Sequence, residues 1–143
     1  MFRNAEGYSD PTAGAAFSNI GKEIAMEKRR IHDIKCRRKV YVVSKFAGDI
    51  PNNVKLARRY CRFVASKKRI PIASHLMYPQ FLNDKDPKER ELGLLFGLSL
   101  LKHCQEVWCF GTEISVGMQQ EIEEATKLRK TIRYFTTDME EIK

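Results

Sequence analysis

Val40-Tyr41-Val42-Val43-Ser44 is a short run of β-branched and aromatic residues, the signature of a buried strand. After it, Lys45-Phe46-Ala47-Gly48-Asp49 makes a loop with one glycine, and a helix follows over about 53–67, capped by Asn52 or Asn53. Val54, Ala57, Cys61, Val64 and Ala65 form its apolar stripe. Ile70-Pro71-Ile72-Ala73 reads as a second short strand, and Tyr78-Pro79 and Asn83–Pro87 mark turns in a polar connection. Asp86 caps a helix that starts at Pro87 and runs to about His103; it is apolar nearly all round, which predicts deep burial. Glu106–Gly111 is the third strand, 116–129 a helix, and Thr131–Phe135 the last strand. Strands alternating with helices predict an α/β fold, a flavodoxin- or Rossmann-like parallel sheet sandwiched by helices.

Upstream of this domain, Gly7, Pro11 and Gly14 break any period, so residues 1–19 read as an irregular arm. Asn19 caps a helix over about 20–34, and Lys35–Lys39 is a basic hinge. The expected division is an N-terminal arm and helix, 1–38, and an α/β domain, 39–143. Phe2, Phe17, Ile20, Ile24, Ile31 and Ile34 cannot make a core of their own, so the chain is expected to form a homo-oligomer.

The 143 residues carry a net charge of +8, unevenly spread. Residues 1–70 hold 17 Lys/Arg against 6 Asp/Glu, and residues 71–143 hold 9 against 12, which raises the case for an anionic partner near the first half. The longest apolar stretch, around Leu92–Leu101, is too short to span a bilayer, and the N-terminus lacks a charged-then-apolar leader, so a cytoplasmic chain with no membrane partner is expected. Cys36, Cys61, Cys104 and Cys109 form no C-x-x-C pair and read as reduced thiols. No histidine pair has metal-ligand spacing, and the first loop has neither a G-x-G-x-x-G nor a Walker pattern, so neither a metal nor a cofactor is expected. Tyr60 and Phe63 interleave with Arg58–Arg69 as in nucleic-acid binders, although amphipathic surface helices show the same pattern and nucleic acid is disfavoured.

In open parallel sheets ligands bind beyond the carboxyl ends of the strands, which selects Ser44–Asp49, Ala73–Tyr78 and Gly111–Glu121. Ser44 precedes a helix amino end that can hold a phosphate or ribose. In the third segment Gly117 permits close backbone approach, Ser115 offers a hydroxyl, and Glu121 stands about one turn further in. A carboxylate there can be a nucleophile or general base at a sugar carbon, or simply a surface acid near a favourable dipole end. His75, at the same edge, is a proton shuttle or a structural group.

At these residues the sequence resembles the nucleoside 2-deoxyribosyltransferase superfamily, in its small phage- and Firmicutes-type branch. The resemblance spans about 38–136 and rests on Val40–Ser44 with Phe46 and Gly48, on Ile70–His75, on Val107–Gly111, and above all on Ile114-Ser115-Val116-Gly117-Met118-Gln119-Gln120-Glu121-Ile122-Glu123-Glu124-Ala125. Glu6–Ala13 resembles a leader found on some phage-type relatives. The resemblance implies cleavage of the N-glycosidic bond of a nucleoside or nucleotide, with Glu121 attacking C1′. Transferases carry an aspartate six residues before the nucleophile; Ser115 stands there, as in the 5′-monophosphate N-hydrolases, and a serine can donate to a phosphate where an aspartate would repel it. An acid is usual at the end of the second strand, where this chain reads Ala73-Ser74-His75-Leu76 and leaves His75 as the possible acid. Phe46 would stack on the base, Ser44 and Ser115 would hold phosphate, and Gly48, Gly117 and Met118 complete the substrate-binding set. The partner is then a nucleotide or nucleotide-like molecule, cleaved or bound without turnover.

Overall fold

The computed structural model describes residues 11–143, so Phe2 and the leader up to Asp10 lie outside the described residues. The chain divides into two compact units, Met1–Arg37 and Arg38–Lys143. In the first, helix α1 runs Pro11–Lys35. It starts well before Asn19, correcting the expectation of an irregular segment there. Proline suits a first helical position, and the alanines that follow have the best helix propensity, which outweighs Gly14. Ile20, Ile24, Met26 and Ile31 are exposed along it. Glu27 and Arg30 pair at 2.6 Å in water, where such a pair contributes little.

The second unit is built on strands β1 (Lys39–Val43), β2 (Ile70–Ile72), β3 (Glu106–Phe110), β4 (Thr131–Phe135) and β5 (Glu141–Ile142), ordered β2-β1-β3-β4-β5. The first four are parallel; β5, which the sequence reading missed, pairs antiparallel with β4. Helices are α2 (Ile50–Ser66), α3 (Ser74–Met77), α4 (Pro87–Lys102) and α5 (Val116–Lys127). The chain leaves β1 for one neighbour, β2, and reaches the other, β3, later. The strand order therefore reverses between β1 and β3, where this kind of sheet opens a crevice at its carboxyl edge.

Alternation along the strands fills two cores. Tyr41, Val43, Val107 and Cys109 pack with Leu101, Cys104, Met118 and Ala125. On the other face Val40, Val42, Trp108 and Phe110 meet Tyr60, Val64 and Phe135. Both faces being covered explains why β1 and β3 read as unbroken apolar runs. Burial raises the thiols of Cys61, Cys104 and Cys109 to about 11, so they stay protonated as small core residues.

Three expectations change. Helix α2 begins at Ile50 and is capped by Asp49, whose Oδ1 accepts from the Asn52 N–H; Asn53 instead turns inward and donates from Nδ2 to the Phe46 and Ala47 carbonyls, both at 3.0 Å. Its buried stripe runs through Asn53, Ala57, Tyr60 and Val64, leaving Ala65 exposed, because the inward turn of Asn53 sets the rotation of the helix. Helix α4 is not deeply buried: only Gly97 and Leu101 are covered, and Leu92, Leu95 and Phe96 are exposed, because only one side of the helix meets the sheet.

Candidate functional site

The carboxyl edge of the sheet gathers residues from several elements around the crevice. Strand β1 brings Tyr41, and its following loop brings Phe46 and Ala47. Ser74 and His75 follow β2, Gly97 comes from α4, and Ser115, Gly117 and Glu121 come from α5. Together they line an open cavity of about 630 Å³, within the range of small-molecule sites. The local cause in α5 is capping. Ser115 adopts extended backbone and its Oγ accepts from the Met118 N–H at 3.2 Å, starting the helix so that Gly117, Gln120 and Glu121 share the cavity side. A Cβ on Gly117 would meet nothing within 4 Å, so the space beside it is open and no group of the chain makes the close approach expected of this glycine.

Glu121 is 2% exposed. Its Oε1 lies 3.6 Å from His75 Nε2, and its Oε2 is buried with no hydrogen-bond partner. An unsatisfied buried polar atom costs on the order of 1–3 kcal/mol, so a fold that keeps one has another use for it or fills it with a ligand. The His75 ring lies flat on Phe46, with centroids 5.2 Å apart and planes at 13°. Tyr41 Oη and Ser74 Oγ hydrogen-bond at 2.8 Å. Burial first, then the Glu121 charge, push the Tyr41 phenol well above its ordinary 10.0, so it keeps its proton and remains a donor beside the carboxylate. Gly97 makes room for this pair: a Cβ there would lie 2.8 Å from Tyr41 Oη and 3.2 Å from Ser74 Oγ.

Of the residues singled out in the sequence, Phe46, His75, Ser115, Gly117 and Glu121 come together in this cavity. Three others do not. Ser44 lines a separate cavity of about 230 Å³ on the α2 side, with Asn53, Tyr60, Thr112 and Thr137, so it does not share a ligand pocket with Ser115. Gly48 lines neither cavity; its φ of 99° places it in the left-handed region that the β1–α2 loop needs, which glycine adopts without strain. Met118 has its side chain in the core, because α5 turns that position onto the sheet. Tyr60 and Phe63 also belong to the core side of α2, stacked or tilted against Phe110, Trp108 and Phe135, so they are not free to stack on nucleic-acid bases.

Tyr41, Ser74 and Gly97 were missed. The signal for Tyr41 was a hydroxyl inside an apolar strand run, which must find a partner when buried. For Gly97 it was a glycine inside a helix, where it costs about 1 kcal/mol against alanine unless something needs the space. The charged lining was equally invisible. Asp84, Glu89, Glu91 and Glu121 stand around the cavity against the single guanidinium of Arg90, a local excess of acid in a chain of net charge +8. Among the described residues no group of three His, Cys, Asp or Glu side chains could hold a metal ion, and no helix is long and apolar enough to cross a membrane.

Comparison with curated proteins finds no match. Among solved structures, the chain is similar to the 2-deoxyribosyltransferase of the psychrotolerant bacterium Bacillus psychrosaccharolyticus, with a TM-score of 0.57 and 14% identity over 68% of this chain and 72% of that one. It is also similar to a 2-desoxiribosyltransferase from Leishmania mexicana, with a TM-score of 0.50 and 11% identity over 69% of this chain and 64% of that one. At these identities the likeness is one of fold, and the fold is nucleoside 2-deoxyribosyltransferase-like, as the resemblance at the sequence level implied. Residues 38–135, which carry the whole sheet up to β4 and every residue of the cavity, match the family described as Domain of unknown function (DUF7768), and the chain belongs to that family.

Proposed function

We propose that this protein cleaves the N-glycosidic bond of a nucleoside or nucleoside 5′-monophosphate, with Glu121 as nucleophile. The observation that carries the reading is a nearly buried carboxylate lining a ligand-sized cavity with one oxygen unpaired. In this reading the carboxylate attacks C1′, the C1′–N bond breaks, and water or an acceptor hydroxyl then releases the sugar from the glycosyl ester. His75 and the protonated Tyr41 hold the carboxylate from two sides, so its orientation is fixed before the substrate arrives. Phe46 offers one ring face to a base. Ser115 keeps its hydroxyl proton while its oxygen caps α5, so it can donate to a sugar or phosphate oxygen, and Arg90 is the cation at the rim for a phosphate.

Residues 39–143 form the catalytic domain in this proposal, and residues 1–38 an arm used in self-association. The exposed isoleucines of α1 motivate the second part. A chain that scatters light as a monomer of 16.6 kDa at all concentrations overturns it.

The test of the function is incubation of the protein with nucleosides and their 5′-monophosphates, with chromatography for free base and intact mass for a glycosyl adduct. Free base together with an adduct on the Glu121 peptide is expected. Tight binding with no base release from any of them would make the cavity a receptor site and end the catalytic reading.

A further inference from the structure

Resting on the Glu121 reading, we propose that the base cleaved is cationic: a quaternary N-glycoside, such as a pyridinium or N7-alkylated purinium riboside, whose leaving group departs neutral. Two observations converge on it. The first is the charge of the cavity. Asp84, Glu89, Glu91 and Glu121 line it against Arg90 alone. In a chain with net charge +8 this is a reversal of sign at one place, and an acidic cleft concentrates and retains cations. Phe46 adds a ring that can face a cationic base.

The second observation is the unpaired carboxylate oxygen of Glu121 and the group that faces it. A neutral base must gain a proton as it leaves. The sequence offers His75 for that role, but its ring is held flat on Phe46 and its Nε2 points at Glu121 Oε1, 3.6 Å away, while the Tyr41 phenol is engaged with Ser74 Oγ at 2.8 Å. His75 is therefore placed to orient the nucleophile and not to meet a departing base. A quaternary base removes the need. Glu121 forms a C1′–O bond, the C1′–N bond breaks, and its electron pair neutralises the ring nitrogen, so no proton is transferred. In the second step water enters on the face the base has vacated and attacks C1′, the C1′–O(Glu121) bond breaks and returns the carboxylate, and the proton of the water passes to solvent through the open mouth of the cavity. The acids that attract the cation lose their hold once the base is neutral, which favours its release.

The experiment compares matched substrates on the full chain: nicotinamide riboside against uridine, and 7-methylguanosine against guanosine, with the spontaneous rate subtracted. General-acid assistance contributes about 10²–10⁴-fold where it exists, so without it the cationic member of each pair should have kcat/KM larger by about 100-fold. Replacing Glu89 and Glu91 together by Gln, with melting used to confirm the fold, should lower kcat/KM for the cationic substrates about 3- to 10-fold, and added salt should shrink that difference. Neutral nucleosides cleaved as fast as their cationic partners overturn the proposal, as does an unchanged rate in the Glu89/Glu91 variant. If base release from the neutral substrates still disappears in Glu121→Gln, the nucleophile reading survives that failure. If no substrate is cleaved or bound, both fall.

Discussion

Glu106 and Glu121 are both almost wholly buried, 3% and 2% exposed, and both belong to the same α/β unit. Glu106 opens β3 at the amino edge of the sheet and is saturated with partners. Arg69 Nε donates to it at 2.9 Å, Trp108 Nε1 at 3.3 Å, and Arg38 lies at 4.0 Å. Arg69 and Arg133 also lie over the Trp108 ring at 5.1 and 4.6 Å, so the acid, the indole and the cations form one closed network. Glu121 sits towards the carboxyl edge with a histidine at 3.6 Å, a phenol that feels its charge, and one oxygen that no described residue hydrogen-bonds. A satisfied acid stabilises, and an unsatisfied one costs free energy unless a ligand, a water or a reacting group meets it. The amino edge closes its acid inside a network, and the carboxyl edge leaves its acid beside a cavity.

The sharpest way to break this comparison is to neutralise each acid in turn. Glu121→Gln keeps shape and volume, so base release should fall by about 10⁴-fold or more while the melting temperature holds or rises. A variant that releases base at near wild-type rate would remove Glu121 from the reaction. Gly97→Ala should come next. Its Cβ would collide with the Tyr41–Ser74 pair, and the strain should cost about 1–3 kcal/mol of stability. A displacement of the phenol should also lower kcat about tenfold, since small misplacements near reacting groups are expensive. Loss of stability with kcat intact would show that Tyr41 does not position Glu121.

Glu106→Gln should do the reverse of Glu121→Gln. It should destabilise by about 1–2 kcal/mol in denaturant unfolding and leave kcat in place. The smallest effect is on pH dependence. Burial raises the Glu106 carboxyl, but the hydrogen bonds from Arg69 and Trp108 and the charges of Arg69 and Arg38 outweigh it and hold it below its ordinary 4.5. The folded protein thus binds this proton less tightly than the unfolded chain does. Its contribution is complete above about pH 4.5 and is lost as pH falls below that towards the native value. Unfolding curves between pH 3 and pH 6 should therefore be flatter in Glu106→Gln by about 1 kcal/mol or less. An identical slope in the two proteins would show that Glu106 is not held as the network implies.

Much of this architecture was legible in one dimension. Val40–Val43 and Val107–Phe110 announced a sheet covered on both faces, since a strand that touched water on one side would alternate. The positions of Ser115, Gly117 and Glu121 after the third strand already marked the cavity, because helix spacing fixes which residues share a face. Other features depend on distant parts of the chain. That Ser44 serves a different cavity from Ser115 follows from which side of β1 the loop leaves, and that Met118 is core follows from the rotation of α5 on the sheet. The Tyr41–Ser74–Gly97 contact joins a strand, the start of a short helix and the middle of another. Local sequence determined the elements and their order, because propensity, capping and periodicity act over a few residues. The tertiary structure alone decided which acid is paired and which is not, because pairing depends on groups brought together from across the fold: Arg69 reaches Glu106 from beyond α2, and among the described residues none hydrogen-bonds the second oxygen of Glu121.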